Sequence, residues 1–299
     1  MNASFSNLIV GALWSYTVMA PGNAIATTTG ATASAFVNGS TVSQSFTAGP
    51  TGIQASANQT IPSPIEGVFV SAQASSYPGA LRAAGVAKNN GSPGGFQAQA
   101  SAFWSDSFVI SAPGYDSSMT GTFSGGVQVT GGLLVQFSGR TYSDTQVYAS
   151  VDIFPGTGFN GGRTTINGSA RNLAGYDIPG INTGGNNFTL VFHDVPFTFD
   201  QRIDIGLSLA VTADVNAIDA GATGKSDANY SNTMIWSGLS AVRDQQGAQV
   251  PNYFAVSAGS GFNFANPTPV PEPESAALLY LGLLCVLWRS YYSVKQNAH

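Results

Sequence analysis

From Ile203 to Val215 the chain reads Ile-Asp-Ile-Gly-Leu-Ser-Leu-Ala-Val-Thr-Ala-Asp-Val, with every odd-numbered position apolar and the even ones polar or small. A period of two sustained this long fits a strand with one face in a core and the other toward solvent, and it fits no helix. The same alternation recurs at 147–153, at 127–129 and 133–137 around Gly131-Gly132, and at 188–192. The nearest approach to a helix, 79–88, is alanine-rich but flanked by Gly and Pro. Short strands separated by Gly, Asn, Asp and Pro clusters predict an all-β fold, an antiparallel β-sandwich of jelly-roll type. Two stretches read as loops, 48–64 and 155–187, the second long enough to be a functional loop or a flexible excursion. With no compositional break between 27 and 264, the body reads as one domain.

Charged residues make up only 8% of the chain, against about 25% in ordinary soluble domains, so hydroxyls and amides must carry solubility. A formal net charge of -5 without a Lys/Arg cluster excludes nucleic acid and anionic membrane surfaces as partners. The one cysteine, Cys285, lies in the C-terminal apolar run, so the body has no disulfide and must rest on core burial or bound ions.

The two ends read as an address. Residues 1–26 carry no charged side chain, are apolar around 8–20 and close on Ala24-Ile25-Ala26, a small-x-small pattern that suits signal peptidase. The expected division is a signal peptide over 1–26, an exported β-sandwich over 27–266 and a Pro-rich linker over 267–274. A short transmembrane helix follows over 275–288, extendable to 294, and then a cytoplasmic tail over 289–299. The thirteen apolar or small residues from 276 to 288 cover only about 20 Å as a helix, and continuation to Val294 with Arg289 snorkelling reaches about 28 Å. Arg289 and Lys295 follow this segment while Glu272 and Glu274 precede it, which places the C-terminus inside and the body outside.

Val270-Pro271-Glu272-Pro273, the short Leu/Gly-rich helix ending in Leu287-Trp288, and Arg289 behind it resemble the PEP-CTERM sorting signal of Gram-negative bacteria. The resemblance implies that an exosortase-type membrane enzyme recognises Pro271, Glu272 and Pro273 and removes the tail. The protein would then be held briefly in the inner membrane before reaching the cell surface or the extracellular space. Segments 227–238 and 254–260 resemble, more loosely, the late strands of ectodomains in that sorted class, which supports a β-sandwich and implies no catalytic residue.

The body contains a single histidine, His193, and a single glutamate, Glu66, which excludes multi-His zinc sites, Cys/His pairs and paired-Glu glycosidase sites. A nucleophilic triad would have to use His193, beside Asp194 at a strand end, where a turn residue is the simpler reading. Asp152, Asp204 and Asp214 alternate onto the polar phase of strands, which leaves open an aspartate pair for acid–base work, though solvated sheet positions are the better reading. Gly156-Thr-Gly158-Phe-Asn-Gly161 fits a dinucleotide fingerprint, yet Gly-Arg-Thr-Thr-Ile-Asn-Gly follows where a helix should begin. The expectation is therefore a non-enzyme with no catalytic residue and no obligatory cofactor. Calcium is the one metal with candidate ligands: Asp214, Asn216 and Asp219 at one strand end, and Asp227, Asn229 and Asn232 shortly after, if the two strands are adjacent. Tyr230 and Trp236 share a strand face by even spacing and form a sugar-stacking platform if that face is exposed, or core if it points inward. Together these readings anticipate a structural or adhesive protein of an extracellular polysaccharide or biofilm matrix. The alternative is a dedicated carbohydrate-binding module stabilised by calcium, and a hydrolase ranks third.

Overall fold

The computed structural model describes residues 27–37, 40–48, 55–62, 68–156, 162–176, 178–183 and 186–267. They form strands arranged in two antiparallel sheets. The first runs in the spatial order β11 (Ile178–Thr183), β10 (Thr164–Gly175), β9 (Thr141–Pro155), β13 (Arg202–Ala217), β6 (Gly94–Ser111), β1 (Thr28–Val37), β2 (Ser40–Ala48), with β15 (Phe254–Val256) on β6. The second runs β12 (Phe188–Thr198), β7 (Thr120–Val129), β14 (Thr223–Asp244), β5 (Ala80–Asn90), β4 (Phe69–Tyr77), β3 (Ala55–Pro62), with β8 (Gly132–Ser138) on β14.

The alternation read from 203–215 becomes the centre of the first sheet. Ile203, Ile205, Leu207, Leu209, Val211, Ala213 and Val215 are all buried, and β13 pairs along its whole length with β6 and β9. One buried core draws on both sheets, so the fold is β-sandwich-like. The core changes character along its length. Where β1 and β6 face β4 and β5, it is built of Ala31, Ala33, Ala72, Ala74, Ala98 and Ala100, and the sheets come close: a β-carbon on Gly85 would lie 3.3 Å from that of Ala98. Farther along β6 it thickens into aromatics, with Trp104 and Phe108 joined by Phe123 and Phe192 from the second sheet.

A hairpin near the end of the body closes this aromatic end. After β15 the chain turns and inserts Phe264, which stacks 4.3 Å from Phe108 and 5.5 Å from Trp104 and meets Trp236 edge-on at 5.5 Å. Its carbonyl accepts the Trp236 Nε1–H at 3.0 Å. The closing strand expected over 254–260 is thus only Phe254–Val256, because the residues after it are drawn into a turn.

Both segments read as loops carry strands. The 48–64 stretch contains β3, and 155–187 contains β10 and β11, with β10 paired to β9 from Thr164 to Gly175. Their sequences, ASANQTIP and TTINGSARNLAG, place polar or small residues on both phases, so pairing gives no apolar signal. The expected leader with Ala24 and Ala26, and the expected tail with Val270, Pro271, Glu272, Pro273, Arg289 and its helix, lie outside the described residues. Among the described residues, no helix is long and apolar enough to cross a membrane.

Candidate binding face and a buried carboxylate

Because β10, β9, β13, β6 and β1 are in continuous register, their outward side chains line up in rows across the first sheet. One row is Arg171, Gln146, Thr212, Gln99 and Ser34, and the next is Ser169, Tyr148, Ala210, Ser101 and Thr32. The rows are knitted laterally. Arg171 forks onto Asp144 through Nε at 3.0 Å and Nη2 at 2.8 Å, Gln146 Nε2 donates to Asp144 at 2.8 Å, and the Thr32 and Ser101 hydroxyls meet at 2.5 Å. Tyr148 stands 40% exposed in the middle. Beside it lies a shallow depression of about 350 Å³ lined by Gln146, Tyr148, Ser169, Arg171, Ala210 and Thr212.

At the next row Asp214 lies directly between Asp144 and Gln97. Burial first, and then the charge of Asp144, push its carboxyl up to about 6, against the lowering effect of a hydrogen bond from Gln97. The Tyr142 phenol on the row below is also raised, chiefly by burial. At the far end of the face Asp152 takes Arg163 Nη2 at 2.7 Å and Thr165 Oγ1 at 2.6 Å, while Asp204 takes Arg202 Nε at 2.6 Å. Asp152, Asp204 and Asp214 therefore each have their own partners on separate rows and form no acid–base pair. They are also less solvated than the alternation suggested: Asp152 is buried, and burial is the first cause that raises the carboxyls of Asp204 and Asp214.

The calcium constellation is not brought together. Asp214 and Asn216 point outward from β13 in the first sheet, whereas Asp227 and Asn229 lie on β14 in the second sheet, with Asp227 held by Lys225 Nζ at 3.1 Å. Asp219, in the connection between them, faces Arg140 at 3.6 Å. The chain changes sheets between β13 and β14, so the strands expected to be neighbours are not. Among the described residues no group of three or more His, Cys, Asp and Glu is placed to hold a metal.

Tyr230 and Trp236 do share a face, but it is the inner one. Both are fully buried, with the Tyr230 hydroxyl donating to the Asn186 carbonyl at 2.8 Å and its phenol pushed up to about 12 by burial. The outer face of the first sheet instead exposes the aromatic side chain of Tyr148. His193 is exposed on β12 at an irregularity between Phe192 and Val195, next to Asp194, whose φ is 49°. Most of the glycine-rich 156–161 segment lies outside the described residues.

One functional-looking group escaped sequence reasoning. Asp106 lies on the core phase of β6, between Trp104 and Phe108, and is only 1% exposed. Its Oδ1 accepts hydrogen bonds from Thr27 Oγ1 at 3.0 Å, Ser257 Oγ at 2.7 Å and the Ser107 backbone N–H at 2.7 Å, and its Oδ2 accepts from Ser260 Oγ at 2.5 Å. The available signal was its phase: in the alternation from Phe96 to Ile110 it occupies a slot otherwise held by apolar side chains.

No protein-family model matches the chain, and comparison with curated proteins and with solved structures finds no match either.

Proposed function

We propose that this chain is an exported surface protein, sorted through its C-terminal Pro-Glu-Pro segment, that adheres to extracellular polysaccharide through the outer face of its first sheet. The observation that carries this reading is the row structure around Tyr148. A hydrated glycan offers hydroxyls and weakly apolar ring faces. This face answers with a half-exposed aromatic ring among planar or hydroxyl-bearing side chains, several already held in place by neighbours. The flatness of a sheet suits an extended polymer better than a small molecule, and the low charge density suits a partner that is itself hydrated. Repeated crossings of the chain between sheets, from β5 to β6, β6 to β7, β8 to β9 and β11 through β14, support the jelly-roll arrangement.

The test is retention of the exported protein on immobilised polysaccharides of several classes, comparing Tyr148→Ala and Arg171→Ala with Arg82→Ala on the other sheet. The expected result is at least about a tenfold loss for Tyr148→Ala and little change for Arg82→Ala. Equal retention of all three would refute the assignment of the face. Strong selectivity for one sugar class would favour a dedicated carbohydrate-binding module over a general matrix role. Sorting is tested separately by replacing Pro271, Glu272 and Pro273 with alanine in an exosortase-bearing host; unchanged delivery and tail removal would rule it out.

A further inference from the structure

Thr27 is the residue that cleavage after Ala26 would turn into a new N-terminus, and it is only 4% exposed, with its hydroxyl already on Asp106. We propose that the α-ammonium freed at Thr27 forms an ion pair with Asp106 inside the fold, so that removal of the leader supplies the cation a buried carboxylate requires. This rests on the export reading given above.

Three observations carry it. First, Asp106 is a core carboxylate whose hydrogen bonds among the described residues come from neutral donors, the hydroxyls of Thr27, Ser257 and Ser260 and the Ser107 N–H. Burying an ionised carboxylate without a counter-charge is costly, whereas a pair in such surroundings is held far more strongly than on the surface. Second, Thr27 already touches the carboxylate through its hydroxyl at 3.0 Å, and its main-chain nitrogen and Asp106 Oδ1 each lie 3.5 Å from the position of a β-carbon built on Gly259, which puts them at most about 7 Å apart. Third, the location demands one register. Cleavage one residue earlier would move the amine by about 3.5 Å along the chain, and two residues earlier by about 7 Å, away from the residue whose hydroxyl is on the carboxylate. Before cleavage the same nitrogen is a neutral amide and contributes no charge.

The experiment uses protein recovered after export of the full chain. Mass spectrometry identifies its first residue, and NMR titration follows the Thr27 α-amine in the folded protein. The expected result is Thr27 as the first residue and an amine that titrates at least about one unit above its ordinary range near 8. A second expectation is a return toward that range in Asp106→Asn. Simple burial without pairing would move the amine the other way, so titration at or below the ordinary value overturns the proposal. If Asp106→Asn does not fold, the wild-type titration decides alone. A mature chain that begins elsewhere overturns the latch while leaving export intact, and full-length chain retained in the cytoplasm removes both.

Discussion

Replacing Phe264 by alanine probes whether the closing hairpin is structural or merely lies against the sandwich. The ring is fully buried and touches Trp104, Phe108, Trp236 and Phe262, while its main chain holds Ala255, Leu239 and the Trp236 indole. Alanine keeps the main-chain bonds and removes the ring, so the cost is lost burial plus the cavity left among large aromatics that cannot collapse around it. For Phe→Ala in a core this is about 3–5 kcal/mol, against a total stability of about 5–15 kcal/mol for a folded domain. Urea unfolding followed by tryptophan fluorescence measures it, and the native spectrum should change as well, since two of the ring's neighbours are Trp104 and Trp236. At about 2–4 °C per kcal/mol for a domain of this size, the Tm should fall by roughly 10 °C. The reference is Phe254→Ala in the same hairpin, where the ring is 65% exposed and the change should stay within about 0.5 kcal/mol. Equal midpoints for the two variants would show that the hairpin does not close the core.

Other expectations follow from single sites. Since the Asp214 carboxyl is raised to about 6, the folded state holds that proton more tightly than the unfolded chain; its contribution is full below about pH 4 and lost as the pH rises through 6. Asp214→Asn should therefore stabilise the protein on the order of 2 kcal/mol at pH 7.5 and leave it unchanged at pH 4, and an equal effect at both pH values refutes this. A β-carbon on Gly125 would meet the Phe192 ring at 2.5 Å and the Gly238 carbonyl at 2.8 Å, whereas one on Gly132 meets nothing within 4 Å. Gly125→Ala should thus cost about 1–3 kcal/mol in urea unfolding and Gly132→Ala distinctly less. Arg163→Ala strips the forked partner from the buried Asp152 but leaves Thr165, and because Arg163 is half exposed the loss should be about 1–2 kcal/mol. An unchanged urea midpoint would contradict the pairing.

The legible parts of the fold were those in which burial left an apolar trace. β13, β9 and β12 were readable because one phase is Val, Leu, Ile or Phe. β3 and β10 were not, since their sequences place Ala, Ser, Thr, Asn and Gly on both phases. Even spacing put Tyr230 and Trp236 on one side, but spacing carries no sign, and inward or outward is decided by what the other sheet presents. The proposed metal ligands lie on different sheets for a topological reason: a turn that joins two strands looks the same in sequence whether it returns to the same sheet or crosses to the other. Tyr148 and Arg171 come together only through cross-strand register, which no local pattern encodes. Asp106 was visible as a break in phase, yet its partners come from Thr27 and from 257–260, at opposite ends of the body.

That last separation bears on timing. The carboxylate at 106 is met by Ser257 and Ser260 at sequence distances of 151 and 154 residues, and the aromatic end of the core is sealed by Phe264. Contacts this remote make loop closure slow and leave earlier strands incompletely covered until nearly the whole body is available. A chain that emerges from its N-terminus therefore lacks the residues that finish its interior until the final hairpin arrives. The hairpin thus acts as a completion step, leaving the polypeptide loosely organised until its last strand is made and compact only afterwards.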